Sequence, residues 1–193
     1  MEFLAKGKRG VVHRLVWKGK QAVIKTKRES SAVDTLVHEA NMLQLVNTRS
    51  IGPRYFAFEN GLIMEYVDGQ RLDDYVRTHP ARTICTTLRT ILRQCRTLDK
   101  LRLNKFELHH PHKHVIITKK GPVMIDFERC RFSEHPKNVT QFVQFLTSTA
   151  FGGLLRSRGV HVSPDVREQA KQYKNTYAEA PCKRMLDGIH TRA

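Results

Sequence analysis

The 193-residue chain carries 34 Lys and Arg against 18 Asp and Glu, a formal charge of +16, with 40% apolar and 27% charged residues. That composition is one of a soluble globular protein large enough for a single domain or one domain in two lobes. No apolar run reaches the roughly 18 to 20 residues that span a bilayer, and Met1-Glu2-Phe3-Leu4-Ala5-Lys6 has no apolar secretory core, so a cytoplasmic protein with no membrane partner is expected. The basic excess favours polyanionic partners such as nucleotide or RNA, or else is simply a solvated basic surface. Cys85, Cys95, Cys130 and Cys182 form no C-x-x-C pair, so no disulfide or zinc framework is indicated, and Cys85 and Cys95, within a helical pattern, read as core thiols.

In chain order, Val11 to Val16 and Gln21 to Lys25 are β-rich runs joined by Trp17-Lys18-Gly19-Lys20, a hairpin signal. Val33, Leu36, Val37, Ala40 and Leu43 then predict a helix from about Ser31 to Val46. After Gly52-Pro53, Tyr55 to Phe58 and Leu62 to Tyr66 read as strands around Glu59-Asn60-Gly61. Beyond Asp68-Gly69 the pattern turns helical: Ile84, Leu88, Ile91, Leu92, Cys95 and Leu98 mark a long amphipathic helix. Val115 to Thr118 and Pro122 to Phe127 predict a second hairpin, followed by a helix through Val139, Phe142, Val143 and Leu146. Ser163-Pro164-Asp165 reads as an N-cap with proline at the first helical position, opening a helix that carries Val166, Ala170, Tyr173 and Tyr177. The expected class is α+β, a strand-rich first third followed by a mainly helical remainder.

Four features carry chemistry. Gly7-Lys8-Arg9-Gly10-Val11-Val12 leads into a strand, where glycines either let amides approach phosphate or merely admit the turn. Ala22-Val23-Ile24-Lys25 ends an apolar strand on an ammonium that either meets an anion or snorkels to water. Glu39 lies at the edge of the apolar stripe of its helix, beside Leu36 and Leu43, as a surface acid or as a partner for Lys25. Leu62-Ile63-Met64-Glu65-Tyr66-Val67-Asp68-Gly69 runs from an apolar strand into a connection able to present backbone groups to a planar base.

In this order the features resemble the protein-kinase-like superfamily, over roughly Leu4 to Leu146. The resemblance implies an α+β, bilobal protein-kinase-like fold: a β-rich N-lobe over residues 1–67 and a reduced, mainly helical C-lobe over 68–193. It implies ATP and Mg²⁺ as ligands. Gly7 and Gly10 would lie over the phosphates, Lys25 would hold them, and Glu39 would pair with Lys25. Met64 would be the gatekeeper, the backbone of Glu65 and Val67 would read the adenine, and Val12 and Val23 would cover it. Val123-Met124-Ile125-Asp126-Phe127-Glu128 is similar to the D-F-G segment, with Asp126 as metal ligand and Glu128 in place of glycine.

The catalytic-loop position is occupied by Lys105-Phe106-Glu107-Leu108-His109-His110-Pro111-His112-Lys113-His114. Alignment on the acid gives Glu107 the role of catalytic base, in a loop two residues longer than usual. Alignment on the following strand puts His114 at the second metal-ligand position. Only about ten residues separate Phe127 from the next helix, without an A-P-E-like segment. The chain in this respect resembles the minimal RIO-type kinases and the small kinase of the KEOPS tRNA-modifying complex. The implied activity is serine/threonine phosphotransfer to a protein hydroxyl, the chain's own included. The alternative is an ATPase or pseudokinase acting as a nucleotide-controlled switch on RNA or a ribonucleoprotein. His110, His112 and His114 could project together and bind zinc or nickel, or else form a phosphate-handling or solvated polar loop, while Arg129 and Arg131 could meet substrate phosphate or simply form a basic loop.

Overall fold

The computed structural model describes residues 1–7, 10–28 and 35–191. Its contacts divide the chain into two units, Met1–Asp68 with Val123–Cys130, and Gly69–Pro122 with Arg131–Ala193.

In the first unit, β1 (Glu2–Lys6), β2 (Gly10–Trp17), β3 (Lys20–Lys27), β4 (Tyr55–Phe58) and β5 (Leu62–Glu65) form one antiparallel sheet of order β1-β2-β3-β5-β4. The β2–β3 hairpin closes in register Trp17↔Lys20. Its two turn residues, Lys18 at φ 46° and Gly19 at φ 75°, both adopt the positive φ that a tight turn between right-twisted strands requires. β1, exposed along its whole length, was not foreshadowed by any apolar alternation.

α1 (Leu36–Asn47) buries Leu36, Glu39, Ala40, Met42, Leu43 and Val46. The predicted start near Ser31, with Val33, lies outside the described residues. Val37, assigned to the apolar stripe, is exposed instead. Glu39 is not at the edge of that stripe but inside it, 2% exposed.

The second unit contains the predicted amphipathic helix. After β6 (Gln70–Arg71) and α2 (Leu72–Thr78), α3 (Ala81–Lys100) inserts Ile84, Leu88, Ile91, Leu92, Cys95 and Leu98 into the core, all fully buried. Each such aliphatic side chain contributes roughly 1.5–3 kcal/mol by leaving water. All four cysteines are buried free thiols, an outcome the sequence implied for Cys85 and Cys95.

β7 (Leu103–Asn104), a 3₁₀ turn (Phe106–His109), α4 (Pro111–His114), β8 (Val115–Thr118) and β9 (Gly121–Met124) follow. The hairpin was predicted to extend to Phe127, but β9 ends at Met124 because Asp126 takes φ +64°, which no strand accommodates. β10 (Arg131–Phe132) pairs with β7.

The remainder comprises α5 (Asn138–Leu146), α6 (Thr149–Ser157), β11 (Val160–Val162), α7 (Val166–Thr176), α8 (Glu179–Asp187) and β12 (Ile189–Thr191). α7 begins after Asp165, two residues later than the Ser163 cap predicts, and Tyr177 is its left-handed C-cap rather than a helical residue. α6, α8 and the β11–β12 pair were not anticipated. Among the described residues no helix is long and apolar enough to cross a membrane.

Candidate functional site

The first unit converges on Lys25. Its Nζ lies 2.7 Å from Glu39 Oε2, 3.1 Å from Asp126 Oδ1 and 3.5 Å from Glu128 Oε2. The β-ladder sets this arrangement: Lys25 is opposite Val12 on β2 and opposite Leu62 on β5. Two glycines make room. A Cβ on Gly10 would stand 3.0 Å from the Thr26 carbonyl and 3.4 Å from Lys25 Cε. At Gly61, φ +149°, a Cβ would come within 2.7 Å of the Lys25 carbonyl oxygen. Lys8 and Arg9 of the glycine segment lie outside the described residues, while Gly7 donates its amide to the Gly10 carbonyl.

Glu39 uses both carboxylate oxygens. Oε2 accepts from Lys25, and Oε1 accepts from the Phe127 amide at 3.3 Å. A helix residue thereby ties the strand lysine to the backbone just after Asp126. The imidazole of His38, one residue earlier, lies 2.6 Å from the Cys130 carbonyl and secures the far end of the same segment. Burial alone would lower the Lys25 pKa, but Glu39, Asp126 and Glu128 outweigh it and hold the ammonium above its ordinary range. Burial raises the Glu39 pKa, with Lys25 opposing that rise.

Three carboxylates thus face one ammonium. Glu39, Asp126 and Glu128 are the one group of acidic, histidine or cysteine side chains among the described residues able to hold a metal ion, their ligand atoms within 4.8 Å of one another. An all-oxygen, anionic donor set suits a hard divalent cation. Glu128 is the residue that sequence reasoning undervalued, as a substitute for glycine. Its carboxylate reaches the cluster because the left-handed backbone at Asp126 redirects the chain two residues earlier.

Met64 pairs in register with Val23 on β3 and with Tyr55 on β4, and Glu65 pairs with Ala22. Val23 is buried and Val12 half-buried on the same sheet, while Val67 follows the end of β5 in a segment without regular structure. Lys25, Glu39 and Asp126 are therefore brought together, with Val12, Val23, Met64, Glu65 and Val67 on or beside the same sheet. Arg129 follows them in the same unit, and Arg131 opens the second-unit strand β10.

Glu107 belongs to the second unit and sits in the 3₁₀ turn, 5% exposed, with the fully buried Lys105 ammonium 3.3 Å from its Oε2. Sequence reasoning missed Lys105, one basic residue in a basic chain. The turn is anchored through Asn138, whose Oδ1 accepts from the Lys105 amide at 2.8 Å while its Nδ2 donates to Leu103 O and Asp99 Oδ1. Burial pushes the Asp99 carboxyl up to about 6 despite the donors from Asn138 and Val139.

His110, His112 and His114 do not alternate along a strand, since His112 and His114 belong to α4. They form no three-ligand metal group among the described residues. His109, His110 and His112 instead line a groove of about 590 Å³ with Asp73 and Phe145.

No family model matches the chain, and no curated protein shows significant sequence similarity to it. What stands is a mixed α+β chain with an antiparallel sheet and a part-buried Lys–Glu–Asp–Glu cluster.

Proposed function

We propose that the chain is an ATP-dependent phosphotransferase of bilobal, protein-kinase-like type, transferring the γ-phosphate to a protein serine or threonine hydroxyl, its own included. The observation that carries this reading is the triple contact of Lys25 Nζ with Glu39, Asp126 and Glu128. A strand lysine fixed by a helix carboxylate is suited to hold a phosphate chain, and an acidic pair beside it suits the accompanying Mg²⁺. Asp126 and Glu128 would hold that ion, with His114 a candidate for a second position. Bound Mg²⁺ supplies charge screening of the triphosphate.

Lys25 and the Gly7–Gly10 segment would bind and orient the phosphates. Met64 would border the adenine, Val12 and Val23 would cover it, and the backbone of Glu65 and Val67 would read its edge. Glu107 would accept the proton of the acceptor hydroxyl.

Glu107 is buried in an ion pair with Lys105, and it must be uncovered before it can meet an acceptor. That observation favours a second reading, a slow ATPase or pseudokinase whose nucleotide state controls attachment to RNA or a ribonucleoprotein. Incubation with γ-labelled ATP and Mg²⁺, following both labelled protein and released phosphate, tests the two together. Label on the protein supports phosphotransfer, and released phosphate alone supports the switch. Binding of Mg²⁺–ATP that is unchanged in Lys25→Ala refutes both.

A further inference from the structure

We propose that the trough between α5, α7 and the 3₁₀ turn Phe106–His109 binds single-stranded nucleic acid. Its phosphates would lie on Lys137, Arg167, Lys171 and Lys174, and an unpaired base would lie on Phe106. The proposal stands independently of phosphotransfer. It gives the basic charge a specific location within the second unit.

Three sequence stripes meet in this trough of about 600 Å³. Arg167, Lys171 and Lys174 recur at steps of four and three, hence on one face of α7. Ala170 lies in the same stripe, buried and short, so it leaves a low floor beneath the cations. Lys137 immediately precedes α5, and Phe106 and His109 are one 3₁₀ turn apart. Among the described residues, no Asp or Glu lines the trough. Glu168 does approach Lys171 from the side at 3.5 Å, but both groups are well exposed and the pair is screened.

Arg167 is already positioned: its Nε donates to the Thr147 hydroxyl at 2.8 Å and its Nη2 to the Thr147 carbonyl at 2.6 Å. That holds the guanidinium at the rim without neutralising it. The α7 cations cover roughly 10 Å along the helix axis at 1.5 Å per residue, more than one phosphate needs. Phe106 is 42% exposed at the edge of the trough. A large aromatic ring part-exposed beside cations suits base stacking. Gln141 and Gln144 also line the trough, and Gln144 is exposed. A polyanion without rings, such as a run of Asp and Glu, would use the cations but leave Phe106 without a stacking partner.

The test is fluorescence anisotropy of the full chain with labelled oligouridylate RNA and oligothymidylate DNA, between about 50 and 200 mM salt. Three or four neutralised phosphates predict a log–log salt slope of about −2 to −3 for a single strand. Lys171→Glu/Lys174→Glu should weaken binding at least about tenfold and flatten the slope by about 1.4. Lys119→Glu/Lys120→Glu, an equal charge change at the exposed β8–β9 turn, should cost less than about threefold. Phe106→Ala should weaken binding about fivefold or more at unchanged slope. Tighter binding of either RNA or DNA supports the site and identifies the source. Equal losses in the two lysine pairs overturn it, as does displacement by polyglutamate as effective as by unlabelled RNA. The four lysines are exposed, so the two double variants keep the test valid even if Phe106→Ala misfolds.

Discussion

Lys25 Nζ and Glu39 Oε2 are 2.7 Å apart, joining the third strand to the first helix through one part-buried, charge-assisted hydrogen bond. Removing the ammonium leaves three part-buried carboxylates facing one another without their shared cation. Lys25→Met should therefore cost about 3 kcal/mol of stability as well as Mg²⁺–ATP binding. Urea unfolding of Lys25→Met, Glu39→Gln and the double variant checks the stability part. The double variant should recover at least about 1 kcal/mol relative to the sum of the singles. Strict additivity would show that the pair does not interact as the geometry requires.

Gly61 offers a probe that touches no charge. A methyl group there would stand 2.7 Å from the Lys25 carbonyl, at a φ of +149° that L-residues rarely adopt. Gly61→Ala should lower stability by about 2 kcal/mol and weaken nucleotide binding by displacing the Lys25 strand. A thermal melt and an ATP titration read the two effects, and a variant that melts like the parent contradicts the close approach.

Asp99 supplies a pH dependence. Its folded value, about 6, stands above the ordinary 3.8. The folded state then holds a proton more tightly than the unfolded chain. The stabilisation is fully present below the unfolded value and is lost as pH rises through about 6. Stability should fall by up to about 3 kcal/mol across that window. Asp99→Asn should flatten this part of the profile, measured by urea unfolding at a series of pH values. An equally steep profile in the variant would assign the dependence elsewhere.

On the proposed reading, Glu128 separates the metal from the nucleotide. Glu128→Gln keeps the size of the side chain and removes one hard, anionic ligand. The Mg²⁺ concentration giving half-maximal ATP binding should rise about tenfold, with metal-free ATP binding little altered. Isothermal titration at several Mg²⁺ levels measures both, and an unchanged Mg²⁺ requirement removes Glu128 from the ion.

Most of the architecture was legible where periodicity was strong. The α3 stripe from Ile84 to Leu98 is buried as its spacing implied, and Lys18-Gly19 turns as a Gly-containing hairpin should. The sheet residue Lys25 and the helix residue Glu39 were paired from the sequence because a charge at the margin of an apolar run demands a counter-charge. Other elements left weaker traces. α6 contains Gly152-Gly153, and β1 is exposed throughout, so neither displays a clean apolar stripe. Glu128 joins the cluster through a backbone conformation, and Lys105 is buried against Glu107 by folding that no local pattern encodes.

The left-handed backbone at Asp126, φ +64°, costs about 1 kcal/mol that glycine would not incur. A library selected only for heat resistance should consequently drift toward glycine at position 126 while shedding the proposed phosphotransfer. Scanning every position for both properties would then expose this residue as an outlier, trading durability for chemistry. Such a fingerprint can be recorded before any substrate has been identified.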